Sequence, residues 1–115
     1  MDLEFSDKVV FVAGSTRGIG RAIVYSFLQE GANVVITGRQ PEAVEECIKE
    51  LKEKHEPRRI LGLAGDLTST EHIRYCLRET IARFGRLDVV VANIGSGQGR
   101  IDYDLDDQEW NDFFQ

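Results

Sequence analysis

The stretch from Val9 to Gly20 constrains this chain more than any other, because it reads as a strand, a glycine turn and a helix start in immediate succession. Val9-Val10-Phe11-Val12-Ala13 has no polar residue to turn toward water. A strand of that kind is covered on both faces, which is the situation of a parallel sheet flanked by helices. Glycines at 14, 18 and 20 follow with the spacing G-x-x-x-G-x-G, which is neither G-x-G-x-x-G nor G-x-x-x-x-G-K-[ST]. Glycine lets the backbone turn sharply and lets a bulky group approach the first turn of the helix, where free N–H groups and the dipole favour an anion such as a pyrophosphate. Gly14, Ser15, Thr16, Arg17, Gly18, Ile19 and Gly20 are therefore candidate ligand contacts. Taken alone, the turn fits a plain strand-to-helix connection equally well.

The rest of the chain repeats this alternation. A strand over Lys8–Ala13 leads to a helix carrying Ile19, Ile23, Phe27 and Leu28 on one stripe and ending at Gly31. Asn33–Thr37 is a second strand, closed by Gly38. Pro41 opens a helix whose Val44, Cys47, Ile48 and Leu51 recur at i, i+3, i+4 and i+7, and Pro57 stops it. Arg59–Ala64 is a third strand, ended by Gly65-Asp66-Leu67. Thr68-Ser69-Thr70-Glu71 has the form of a capping box for a helix with Ile73, Leu77, Ile81 and Phe84 on its buried stripe, ending at Gly85. Leu87–Ala92 is a fourth strand, followed by a glycine-rich loop over Asn93–Gly99. Residues 101–115 are acidic and lead into a last, truncated helix over Gln108–Phe114.

The order β-α-β-α-β-α-β with right-handed crossovers gives an α/β fold, a doubly wound parallel sheet of strand order 3-2-1-4, with all 115 residues in one partial domain. The first two helices then share one face and the third takes the other. Cys47 and Cys76 fall on opposite sides of the sheet, too far apart for a disulfide, and read as small core residues.

Charge narrows the partners. Residues 1–100 balance 14 Lys+Arg against 14 Asp+Glu, so the net −6 lies wholly in 101–115, and no basic stripe exists to bind nucleic acid. The acidic N-terminus is unlike a secretory signal and no apolar run approaches a membrane span, so a cytoplasmic protein is expected. No Cys and His spacing suits a metal. His55 and His72 read as surface helix residues, and Ser96 as loop chemistry.

In a sheet of this order the ligand crevice opens beyond the carboxyl ends of the strands, where the order reverses between strands 1 and 4. Gly14–Gly20, Gly38-Arg39, Gly65-Asp66-Leu67 and Asn93–Gly99 all follow strand ends and converge on that edge. Their convergence points to a dinucleotide far more strongly than any one motif.

At these residues the chain resembles the short-chain dehydrogenase/reductase family. Ala13–Gly20 is similar to its T-G-x-x-x-G-I-G turn, Asp66-Leu67 to its adenine-contacting D-[VL] pair, and Ala92-Asn93-Ile94-Gly95 to its N-N-A-G, with Ala92 and Ile94 departing from that last pattern. The resemblance implies a Rossmann fold and adds Asn93 and Gly95 to the cofactor contacts. It also implies hydride transfer to or from a small carbonyl or alcohol substrate. Separately, Val89-Val90-Val91 reads as an unpaired apolar edge with Trp110, Phe113 and Phe114 in need of cover, so a homo-oligomer is expected. An acidic residue after strand 2 would hold the ribose 2′-OH and repel a 2′-phosphate, but Gly38-Arg39 stands there. Arg39 with Arg17 makes NADP(H) the expected cofactor over NAD(H).

The family's proton transfer uses a serine and a Tyr-x-x-x-Lys pair. Tyr25, Tyr75 and Tyr103 are followed four residues later by Gln29, Glu79 and Asp107. By the resemblance, the chain stops short of the catalytic residues, so no catalytic residue is assigned and the 115 residues alone are expected to be inactive. Two other readings stay open: a non-enzymatic nucleotide-binding or subunit-interaction module, and an adenosylmethionine-dependent methyltransferase. The latter would want an acidic residue where Gly38-Arg39 stands.

Overall fold

The computed structural model describes residues 5–16 and 18–92; expectations for Arg17, for the loop containing Asn93 and Gly95, and for the acidic C-terminal helix lie outside the described residues. Seven elements alternate: β1 (Val9–Ala13), α1 (Gly18–Gln29), β2 (Asn33–Gly38), α2 (Pro41–Lys52), β3 (Ile60–Ala64), α3 (Thr70–Phe84) and β4 (Val89–Ala92). A short 3-10 turn, Pro57–Arg59, precedes β3. The four strands form one parallel sheet in the order β3-β2-β1-β4, as the alternation requires.

Every residue of β1 is buried, and its side chains alternate between two cores. Val9, Phe11 and Ala13 join Val35, Leu63, Ile73, Cys76 and Leu77 under α3. Val10 and Val12 join Val24, Leu28, Val34, Ile36, Cys47 and Leu51 under α1 and α2. The period of two along a strand thus sends one apolar run into both layers, and the cysteines lie in opposite cores as expected.

Several local readings shift. α1 meets the sheet through Gly20, Val24 and Leu28, while Ile19, expected on the buried stripe, is 71% exposed. One residue is about 100° of helix rotation, which turns the Ile19, Ile23, Phe27 row to the flank. The row is covered at Ile23 and Phe27 but open at its first member. The cap of α3 is Ser69, whose hydroxyl accepts from His72 N, rather than Thr68. Thr68 is taken by Asp66, whose Oδ1 accepts both its N–H at 2.9 Å and its hydroxyl at 2.6 Å. His55 lies beyond the end of α2, half-buried and edge-on to Tyr25, so it is not a surface helix residue; His72 is helical but half-buried.

β4 starts at Val89, two residues later than the apolar pattern suggests, and Asp88 just before it ties the chain to β1. Asp88 Oδ2 accepts from Val9 N at 2.8 Å, and Arg86 donates to both carboxylate oxygens. The Arg86 guanidinium, with the Val9 N–H, holds the Asp88 carboxyl below the usual carboxylate range despite partial desolvation. A depressed folded pKa stabilises the fold above the ordinary aspartate value, and that contribution fades as pH falls through the folded value. Asp88→Asn is expected to lower stability at pH 7 by about 1.5 kcal/mol, with the difference from wild type shrinking below about pH 4. Urea denaturation at pH 7 and pH 3 checks both.

Candidate functional site

The carboxyl ends of β1, β2 and β3 are locked to one another. Thr37, fully buried near the end of β2, donates its hydroxyl to Val12 O at 3.0 Å and accepts from Gly14 N at 3.0 Å. Ser15 N donates to Thr37 O at 2.9 Å, and Thr37 N donates to Ser15 Oγ at 2.9 Å. Gly65 N donates to Gly38 O at 2.9 Å, which carries the seam on to β3. These bonds join the ends of three strands beyond the regular ladder, so the turn after β1 has a fixed floor.

The absence of side chains lets that turn close. A Cβ on Gly38 would stand 2.7 Å from Thr16 Cγ2, so Gly38 is the space into which the turn packs. Gly14 and Gly18 have φ of 71° and 63°, the left-handed region open to glycine without steric cost. A Cβ on Gly18 would meet nothing within 4 Å, so the start of α1 is open to an approaching group. α1 has no acidic residue in its first turn, leaving the positive end of its dipole uncompensated from that source.

The expected site residues divide by task. Gly14, Thr16, Gly18 and Gly20 build or border the turn, with Gly20 buried against the sheet. Ser15 is fully buried and its side chain bonds Thr37, so it shapes the turn from within. Ile19 stands exposed at the rim. Arg39 and Asp66, both exposed, face one another at 3.8 Å across the ends of β2 and β3. The bonds from Thr68, above all, hold the Asp66 carboxyl below its usual range, with Arg39 adding a smaller part, so Asp66 is an anion at neutral pH. Leu67 is buried and pins the turn it shares with Asp66 into the α3-side core.

Sequence reasoning missed Thr37. A lone hydroxyl closing the otherwise apolar run Val34-Val35-Ile36 was the available signal. It also missed the concavity of about 410 Å³ between α1 and the end of α2, bordered by Tyr25, Leu51, Lys54 and His55. Neither Gly14, Gly38 nor Gly65 borders it, so it is separate from the strand-end edge. No group of three or more metal-ligating side chains occurs among the described residues.

Residues 8–115 match the family model described as short chain dehydrogenase. The uncharacterized oxidoreductase YvrD of Bacillus subtilis is 38% identical over 115 residues, all of this chain and 42% of that protein. Among solved structures, L-sorbose reductase from Gluconobacter frateurii, complexed with NADPH and L-sorbose, aligns with a TM-score of 0.79 at 34% identity, over 96% of this chain and 41% of that one. Apo glucose dehydrogenase of Caenorhabditis elegans aligns at 0.75 and 36% identity, over 81% of this chain and 40% of that one. The chain spans about two fifths of the length of the curated relatives it matches.

Replacing Thr37 by Val keeps the volume and removes the hydroxyl's bonds to Gly14 N and Val12 O. The change is expected to cost about 1–2 kcal/mol, read as a lowered urea midpoint, whereas Thr37→Ser, which keeps the hydroxyl, loses less.

Proposed function

Because the chain belongs to the short-chain dehydrogenase family, we propose that it is the NADP(H)-binding half of an oxidoreductase. That enzyme moves hydride between the nicotinamide and a small carbonyl or alcohol substrate. The observation that carries this reading is that Gly14, Gly18, Arg39 and Asp66 all follow the carboxyl ends of strands bonded to one another, with Arg39 and Asp66 facing each other. A dinucleotide fits the residues present: left-handed glycines, an open approach to the first turn of α1, and no acidic side chain beside it.

In this reading the N–H groups at the start of α1 take the pyrophosphate, and Gly14 and Gly18 admit it. Asp66, kept ionised by Thr68, accepts from the amino group of the adenine base. Arg39 takes the 2′-phosphate: its guanidinium is exposed and its contact with Asp66, at 3.8 Å between exposed groups, is too weak to hold it back. A solved relative was crystallised with NADPH, which supports the cofactor class; the preference for the 2′-phosphate rests on Arg39 in place of an acid. The nicotinamide, once bound, supplies or accepts the hydride. By the family resemblance Asn93 and Gly95 are the expected contacts at its end and Arg17 a second charge for the phosphates, all three outside the described residues. The matching proton needs an acid/base that none of Tyr25, Tyr75 and Tyr103 provides with a lysine four residues on.

NADPH is expected to bind at least about tenfold more tightly than NADH, given one or two charge-assisted contacts. Arg39→Ala should remove most of that ratio while leaving NADH binding near its wild-type value. Fluorescence titration with both cofactors checks this, and equal affinities in the wild-type protein would contradict it.

A further inference from the structure

The turn that presents Asp66 is held from below by a residue to which no role has been given. Gly65 is tied on one side to β2 through Gly38 O. On the other side lies the imidazole of His72. A Cβ on Gly65 would stand 2.2 Å from His72 Cε1, 2.3 Å from Nε2 and 2.7 Å from Nδ1, so the ring occupies the volume a side chain at 65 would need.

The ring is itself fixed. Cys76 Sγ, one helical turn further along α3, lies 3.3 Å from Nε2. Burial, with Glu79 adding, pushes the Cys76 thiol up to about 12, so it stays protonated and serves as a polar partner rather than a nucleophile. Tyr75 stacks on the imidazole with centroids 5.8 Å apart and planes 27° apart. The backbone of His72 is anchored as well, since its N–H donates to the Ser69 cap.

We propose that His72 is a positioning residue for the adenine end of the cofactor: seated beneath Gly65 and held by Cys76 and Tyr75, it fixes the 65–67 turn so that Asp66 meets the base. This rests on the nucleotide-binding reading above and adds to it the device that aims Asp66. Both bonds from Thr68 fall on Oδ1 of Asp66, so the carboxylate is oriented within the turn while His72 and Gly38 orient the turn within the fold. With a smaller residue at 72, the turn loses its floor and Asp66 its aim, while the phosphate end keeps the Thr37 seam.

The test uses NADPH and its hypoxanthine analogue, in which a carbonyl oxygen replaces the amino group that Asp66 would accept from. Wild type is expected to bind NADPH about tenfold more tightly than the analogue, and His72→Ala to bring that ratio close to one while binding the analogue nearly as wild type does. A general structural role would weaken both ligands equally and leave the ratio intact. A folded His72→Ala protein with the wild-type ratio overturns the proposal, as does an equal loss for both ligands. Where His72→Ala does not fold, Cys76→Ala, which removes the ring's polar anchor, takes its place: a lowered ratio supports the proposal and a wild-type ratio overturns it. Wild type that binds NADPH without discriminating the analogue overturns the adenine contact of Asp66, and with it the task given to His72. Wild type that binds neither ligand overturns the nucleotide reading itself.

Discussion

Burial of β1 on both faces is the constraint on which the rest of the structure depends. Five consecutive apolar residues cannot face water on either side, so helices must cover both, and parallel neighbours with crossover helices are the arrangement that supplies them. α1 and α2 cover one face and α3 the other. Once β1 lies between β2 and β4, its carboxyl end opens where the strand order reverses, and Gly14 emerges there. The location of the candidate site is therefore a consequence of how the core is covered.

What gives that location a fixed shape is a set of polar bonds at the strand ends. The Thr37 hydroxyl bridges β1 and the turn after it, Ser15 closes the same turn, and Gly65 ties β3 to β2. Such a seam keeps backbone N–H groups in place without depending on a ligand, and preorganisation of this kind lowers the ordering cost of binding. The glycines at 38 and 65 are part of it, since each leaves room for a neighbour: Thr16 in one case and His72 in the other.

Much of this was legible in the amino-acid order, and the limits have physical causes. Strand order, helix faces and the opposite placement of Cys47 and Cys76 follow from apolar periodicity and crossover handedness, which are local patterns with global consequences. Ile19 shows where periodicity stops: its row reads apolar, but a rotation of about one residue decides which row faces the sheet, and the row buried there is Gly20, Val24 and Leu28. Thr68 and Ser69 both suit a helix cap, and only the Asp66 carboxylate, reaching two residues forward, settles which is used. Thr37 and Asp88 act across 25 and 79 residues of chain, and no sequence period reports a hydrogen bond of that span. His72 reads as an ordinary helical histidine until Gly65 is seen above it.

The central claim is that the strand-end edge, and not the concavity between α1 and α2, receives the nucleotide. Backbone amide NMR of the isotope-labelled protein titrated with NADPH tests it most directly. The account predicts that the largest shifts fall on residues 14–20, on Gly38 and Arg39 and on 65–67, with the amides around Tyr25, Lys54 and His55 unmoved. Shifts concentrated at Tyr25, Lys54 and His55 with the amides of Gly14 and Gly18 unchanged would contradict it.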